Sequence, residues 1–145
     1  MRNLRPYRSY DADQVAELWW ESWRSTGLPL VAAMSVEKNR ERLEEEGPQW
    51  EIFVTTDAEG EIIAFIALSL AEHRLRQLFV SPSHQFRGVG SELLELAKVR
   101  MPEGFWLWTP PGNLKARRFY DARSVTYREM RQSPDGPMAV HAWPS

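Results

Sequence analysis

Between Leu78 and Arg100 an apolar run with the composition of a strand passes through a short loop and straight into an amphipathic helix. The junction reads Leu78-Phe79-Val80-Ser81-Pro82-Ser83-His84-Gln85-Phe86-Arg87-Gly88-Val89-Gly90, and it constrains the fold more than any other stretch. Ser81-Pro82 stops the strand. Val89, Leu93, Leu94, Leu96 and Ala97 recur at helical spacing, so a helix starts near Gly88 and Met101-Pro102 ends it. The first turn of any helix carries N–H groups without an intrahelical partner. The helix dipole adds about half a positive charge at that end. Glycines there let a phosphate approach the backbone with no Cβ in the way, and Arg87 adds a cation. Such a junction can cradle a pyrophosphate; taken alone it also reads as a Gly-containing turn that only starts a helix. It is not a P-loop, because Gly90 is followed by Ser91-Glu92 rather than Lys-Ser/Thr. It is not a dinucleotide fingerprint either, since Leu93 stands where the third glycine or alanine belongs and no acidic ribose partner follows a second strand.

The rest of the chain supplies a sheet for that junction. Leu4 to Tyr10 reads as a first strand, with Pro6 marking an edge position. Asp11 or Asp13 can cap a helix whose stripe is Val15, Leu18, Trp19, Ser22 and Trp23. Ser35 can cap a second, highly charged helix that Gly47-Pro48 ends. Trp50 to Thr56 and Glu61 to Leu70 form a hairpin around Asp57-Ala58-Glu59-Gly60. Arg74 to Val80 and Phe105 to Thr109 are further strands, and Asn113 can cap a helix running to about Ala122. Val125 to Arg131 and Met138 to Trp143 are the last two strands. The order β-α-α-β-β-β-α-β-α-β-β predicts an α/β (α+β) sheet with helices on its faces. At 145 residues it is a single domain over 1–145, long enough to bury a core unaided.

Composition removes several classes of function. Cysteine is absent, which excludes a disulfide framework, a Cys nucleophile and thiolate metal sites. A net charge of -2 gives no bulk attraction to nucleic acid. The longest apolar run, Ile62 to Leu68, is too short to span a bilayer, and the N-terminal residues lack an apolar signal region. A cytoplasmic protein with no membrane or nucleic-acid partner is expected. His73, His84 and His141 show no ligand spacing, so no metal is expected, and no Gly-x-Ser-x-Gly elbow supports a serine hydrolase.

Gln85-Phe86-Arg87-Gly88-Val89-Gly90 resembles the Gln/Arg-x-x-Gly-x-Gly/Ala motif of the GNAT acetyltransferase superfamily. It follows Leu78-Phe79-Val80-Ser81-Pro82, which resembles that family's Leu-x-Val-x-Pro strand. Downstream, Asn113, Ala116 and Phe119-Tyr120 resemble the family's second signature. The resemblance covers Trp50 to about Arg131. It implies a mixed, mostly antiparallel twisted sheet with a splayed pair of central strands, and acetyl-CoA as acetyl donor. By the same resemblance, the strand Leu78, Phe79, Val80 would offer backbone groups to the pantetheine arm. The amides from Phe86 to Ser91 would hold the pyrophosphate, with Gln85, Arg87, Gly88, Val89 and Gly90 in the motif, and Asn113 would reach the arm. The Val80 N–H would be an oxyanion donor and Tyr120 the acid for the departing thiolate. Lys115, Arg117 and Arg118 read as a solvated charged face, any of which could meet the adenosine phosphates.

Two departures from the family pattern are visible. Many relatives carry a Glu on the strand before the loop, where this chain has Arg74, Arg76 and Gln77. Glu72 or His73, just before that strand, could act as base directly or through a water; both also read as a solvated hairpin turn, and an amine of lowered pKa could arrive neutral with no dedicated base. Ser124 stands where relatives end the helix with a left-handed glycine. Seven Trp residues leave pocket or core roles open for Trp19, Trp20, Trp23, Trp106, Trp108 and Trp143. Together with Leu28 to Met34 these residues would wall the acceptor side. An aromatic wall there could hold an apolar amine, or a cation over a ring face. The expected activity is acetyl transfer to the primary amine of a small molecule or peptide, in a chain whose Trp content is compatible with a homodimer. An acyl-CoA-binding module without turnover and a non-enzymatic interaction domain are the competing readings.

Overall fold

The computed structural model describes residues 2–29 and 35–144. Among these, β1 (Asn3–Pro6), β2 (Glu51–Thr56), β3 (Ile62–Ser69), β4 (Arg74–Val80), β5 (Phe105–Thr109), β6 (Thr126–Ser133) and β7 (Gly136–Trp143) form one sheet. Its order is β1-β2-β3-β4-β5-β7-β6, antiparallel except where β4 meets β5. The helices are α1 (Ala12–Ser25), α2 (Val36–Glu45), α3 (Val89–Arg100) and α4 (Leu114–Asp121).

Every side chain of β3 is buried, because both faces of the sheet are covered there. Ile66, Leu68, Leu75, Leu93, Leu94 and Leu107 pack on the α3 side. Val15, Trp19, Leu43, Val54, Phe65 and Ala67 pack on the α1–α2 side. The apolar stripe read in α1 is therefore its core face, and Trp19 is 1% exposed. Ser35 caps α2 as its residue type predicts, its Oγ accepting from the Lys38 N–H at 3.0 Å.

The expected first strand is cut short. β1 ends at Pro6, and Ser9–Asp11 form a 3-10 turn. The cause is Asp11, which is 2% exposed. Its carboxylate takes both nitrogens of the Arg5 fork at 2.8 and 2.9 Å and the Arg8 N–H at 2.8 Å. Asp11 thus ties the strand to the helix start and makes no side-chain cap on α1.

The central feature is a fork between β4 and β5. Leu68 faces Leu75 and Ala67 faces Gln77, so Arg76 is an extra residue on β4. A bulge of this kind bends and twists its strand. β4 and β5 register only at Arg74 and Trp106, beside a bond from the Trp106 N–H to the His73 carbonyl at 3.0 Å. Beyond this apex β5 follows β7, with Phe105 to Thr109 all paired. The Ser81 N–H donates to Ile63 O at 2.8 Å. Because antiparallel residues alternate in the edge they bond, Leu78 and Val80 turn their peptide groups to the opened edge.

The end of α4 keeps the left-handed geometry without a glycine. Ser124 has φ +66°, and the Val125 N–H reaches back to Tyr120 O at 3.0 Å. The Arg123 carbonyl is held by Lys98 Nζ at 2.9 Å. Replacing Ser124 by Gly removes about 1 kcal/mol of backbone strain, and a rise in Tm of about 3 °C is expected by calorimetry.

Arg5, and secondarily the Arg8 N–H, hold the Asp11 carboxyl below the usual carboxylate range. Its contribution to stability is full above the unfolded value near ~3.9 and is lost as pH falls through the depressed folded value. Asp11→Asn should cost about 2 kcal/mol in urea unfolding at pH 7. The difference from the unsubstituted protein should shrink as the pH is taken below about 3.5.

Candidate active site

The fork opens into a cavity of about 1000 Å³ walled by the end of α1, the β4 edge, the start of α3 and α4. Leu78, Phe79, Val80, Gln85, Phe86, Gly88, Gly90, Ser91, Asn113 and Tyr120 all line it. They come from two stretches of the sequence, 78–91 and 113–120, that the fold brings to one cavity.

The loop before α3 is shaped by two left-handed residues, Phe86 at φ +65° and Gly88 at φ +84°. The first internal hydrogen bond of α3 runs from the Glu92 N–H to Gly88 O at 3.1 Å. The N–H groups of Val89, Gly90 and Ser91 precede it and have no intrahelical acceptor. Gly90 has a second reason to be glycine. A Cβ there would lie 3.2 Å from the Phe119 ring, so its absence lets α4 close on α3.

Side chains fix the loop in place. Gln85 donates to Val80 O at 3.1 Å and accepts from Lys115 Nζ. The Val80 carbonyl also accepts from Ser22 Oγ at 3.2 Å, so the last carbonyl of β4 is engaged while its N–H lies on the open edge. Arg123 donates to Ser91 Oγ at 2.8 Å and lies 4.1 Å from the Phe119 ring. Lys115, Arg118 and Arg123 line the cavity and give it a positive potential. Arg117 turns away to Pro111 O and the Tyr127 ring. Arg87 is exposed, and its carbonyl accepts from Arg2 at 3.0 Å. Val89 points into the α3 core rather than the cavity.

Asn113 caps α4, its Oδ1 accepting from the Ala116 N–H at 3.3 Å, and it lines the cavity as well. Phe119 and Tyr120 both pack, their rings 5.3 Å apart and nearly perpendicular. Tyr120 is 7% exposed, and burial pushes its phenol well above the usual tyrosine range. It keeps its proton across the working pH range.

Glu72 stands elsewhere. It lies in the exposed turn between β3 and β4, 3.7 Å from Arg76, and does not line the cavity. Six residues of strand, about 20 Å, separate Arg74 beside it from Val80. His73 shares that exposed turn. Ser22, Ser25 and Thr26 line the cavity from the end of α1; nothing in their local sequence marked them, since only the fold brings α1 to Val80.

The aromatic wall is also rearranged. Trp19 and Trp143 are packed in the two cores. Trp106 and Trp108 do share one strand face, 5.9 Å apart, yet Arg74 lies 4.4 and 4.5 Å from their rings. The chain's own guanidinium thus occupies the place proposed for a cationic amine. Leu28 sits beside Gly112 at the cavity rim, whereas Leu30 to Met34 lie outside the described residues.

The model of the acetyltransferase (GNAT) family matches residues 12–124, and the chain belongs to that family. Among solved structures, an acetyltransferase from Thermus thermophilus is similar at TM-score 0.77 and 19% identity, covering 100% of this chain and 97% of that one. The PaiA N-acetyltransferase of Thermoplasma acidophilum, in complex with coenzyme A, has TM-score 0.73 and 18% identity, covering 97% and 98%. The ribosomal-protein-S18-alanine N-acetyltransferase of Escherichia coli has TM-score 0.75 and 17% identity, covering 98% and 92%. No curated protein sequence matches the chain. The mixed, mostly antiparallel sheet with its forked centre is thus the fold of this family.

Gly88→Glu adds a carboxylate at the residue that precedes the free α3 amides, on the side of Arg2, while Gly88→Ala shares only the backbone cost of the left-handed φ. Coenzyme A affinity by calorimetric titration should fall at least about tenfold further in Gly88→Glu than in Gly88→Ala, with both variants still folded by circular dichroism.

Proposed function

We propose that the protein is an acetyl-CoA-dependent N-acetyltransferase that acetylates the primary amine of a small molecule or peptide by direct attack. The observation that carries this is the row of unpartnered N–H groups at Val89, Gly90 and Ser91, facing a cavity continuous with the open edge of β4. A diphosphate fits such a helix start by charge and by hydrogen bonding. Leu78 and Val80 fit an amide-bearing arm, because the N–H and carbonyl of Leu78 and the N–H of Val80 are turned to the open edge and can bond it as another strand would. Acetyl-CoA, when bound, supplies an acyl group activated as a thioester.

The chain's own residues then have distinct tasks. The Val80 N–H is directed at the open edge, where a donor stabilises negative charge developing on a carbonyl oxygen. Tyr120 holds a proton beside the cavity. Its raised pKa keeps the phenol protonated, so it can donate a hydrogen bond to the developing thiolate, whose proton would come in the end from the attacking amine, directly or through water. Among the described residues lining the cavity none is a carboxylate. An amine that arrives neutral, or loses its proton to water, requires none, and Glu72 stands too far along β4 from Val80 to serve as one. This absence is also what favours the second reading, a module that binds acyl-CoA without turnover.

Tyr120→Phe separates the two. Thiol release should fall by about a hundredfold or more, with coenzyme binding unchanged by titration. Tight coenzyme binding by the unsubstituted protein without thiol release on any amine would establish the binding module instead.

A further inference from the structure

His141 is a buried titratable side chain to which the transfer reaction gives no task. It stands on β7 opposite Leu107 of β5 and Tyr127 of β6 and is 0% exposed. Its Nδ1 lies 3.1 Å from Val125 O and 3.2 Å from Asp121 Oδ1. A carbonyl only accepts, so Nδ1 carries the hydrogen and donates. Nε2 is buried with no partner among the described residues. All hydrogen bonding by the ring therefore runs through Nδ1.

The two oxygens bracket the left-handed turn at Ser124. Asp121 closes α4, and Val125 leads into β6. Asp121 Oδ1 also accepts from the Tyr127 N–H at 3.0 Å. Two further bonds return to Tyr120 O, from the Arg123 and Val125 N–H groups, both at 3.0 Å. A residue other than glycine keeps such a φ only where its surroundings over-determine the backbone. His141 supplies that hold from a separate strand, on both sides of Ser124 at once. Tyr120 lies inside this ring of bonds. Its side chain packs 5.3 Å from the Phe119 ring and 6.0 Å from the His141 ring. Tyr120 lines the cavity, which His141 does not.

Resting on the reading of Tyr120 as a donor to the thiolate, we propose that His141 is a positioning residue for acetyl transfer. Its Nδ1–H clamps the turn after α4 and so fixes the Tyr120 side chain in the cavity wall. Two substitutions separate this hydrogen bond from the filling of space. His141→Asn carries an amide nitrogen near the place of Nδ1, and His141→Gln carries it near that of Nε2. Ser124→Gly removes the strain of the left-handed φ, so the turn then no longer depends on the clamp.

The test uses the whole protein labelled with fluorotyrosine at its four tyrosines, with Tyr120→Phe assigning the Tyr120 line in the fluorine NMR spectrum. His141→Asn should keep one narrow Tyr120 line. His141→Gln should broaden or split it, with the Tyr7 and Tyr10 lines unmoved. Both variants lack the imidazole, so the difference between them is no ring-current effect. Thiol release from acetyl-CoA is followed with spermidine, L-phenylalanine amide and Ala-Gly-Gly as the amines. The kcat should fall about tenfold or more in His141→Gln and at most about threefold in His141→Asn. KM and the coenzyme A Kd should change less than about twofold in either. Adding Ser124→Gly to His141→Gln should restore the narrow line and most of kcat. If His141→Gln does not fold, Asp121→Ala takes its place, because it deletes one of the two acceptors on a half-exposed side chain, and it should broaden the same line. Asn and Gln variants alike in line and rate, an unmoved line in Asp121→Ala, coenzyme affinity lost in step with kcat, or no restoration by Ser124→Gly would overturn the proposal. Coenzyme A titration and thiol release by the unsubstituted protein report on the transfer reading, and the fluorine lines decide the clamp by themselves, so the two can fail independently.

Discussion

The single pairing of Arg74 with Trp106 governs the molecule. Two parallel strands joined at one point and bent apart by a bulge at Arg76 cannot complete a ladder. One edge of β4 is left with free peptide groups in the middle of a sheet. An open edge of that kind is ordinarily covered or blunted. Here the start of α3, the end of α1 and α4 close around it and leave a cavity, so the site is a direct consequence of incomplete pairing.

Holding that edge open requires the surroundings to be rigid. Ser22 and Gln85 both bond the Val80 carbonyl, which fixes the end of β4 from α1 and from the loop. Lys115 links α4 to Gln85, and Arg123 links the end of α4 to Ser91. Phe119 closes on the absent side chain of Gly90. The side chains of the loop are thus largely occupied with structure, and the backbone is left to face a ligand. This division explains why Gln85 and Ser91 line the cavity while their polar atoms are already partnered.

Charge is divided between the two faces of the fork. Lys115, Arg118 and Arg123 line the cavity at the open end of the fork, the end at which the proposed reading puts a diphosphate. Arg74 and Arg76 stand at the apex among Trp50, Trp106 and Trp108. Membership of the GNAT family bears on the first group. The second group lies at the closed end of the fork, outside the cavity lining.

The sequence alone determined what is local. Element order, the Ser35 and Asn113 caps, the strand-loop-helix junction and the left-handed demand at Ser124 all follow from residues a few positions apart, because backbone dihedrals and caps are short-range matters. It also marked the cavity segments, since the two linked signatures preserve backbone geometry as spacing. It did not reveal that Asp11 folds back onto Arg5, that Ser22 reaches Val80, that Gly90 is small for Phe119, or that Glu72 is remote from the cavity. Each depends on how the chain turns back on itself, on partners distant in sequence, or on which end of a strand is open. The Trp106–Arg74–Trp108 stack is the clearest instance: alternation put both indoles on one face, but only the register of β4 against β5 decided that a guanidinium would fill the space between them.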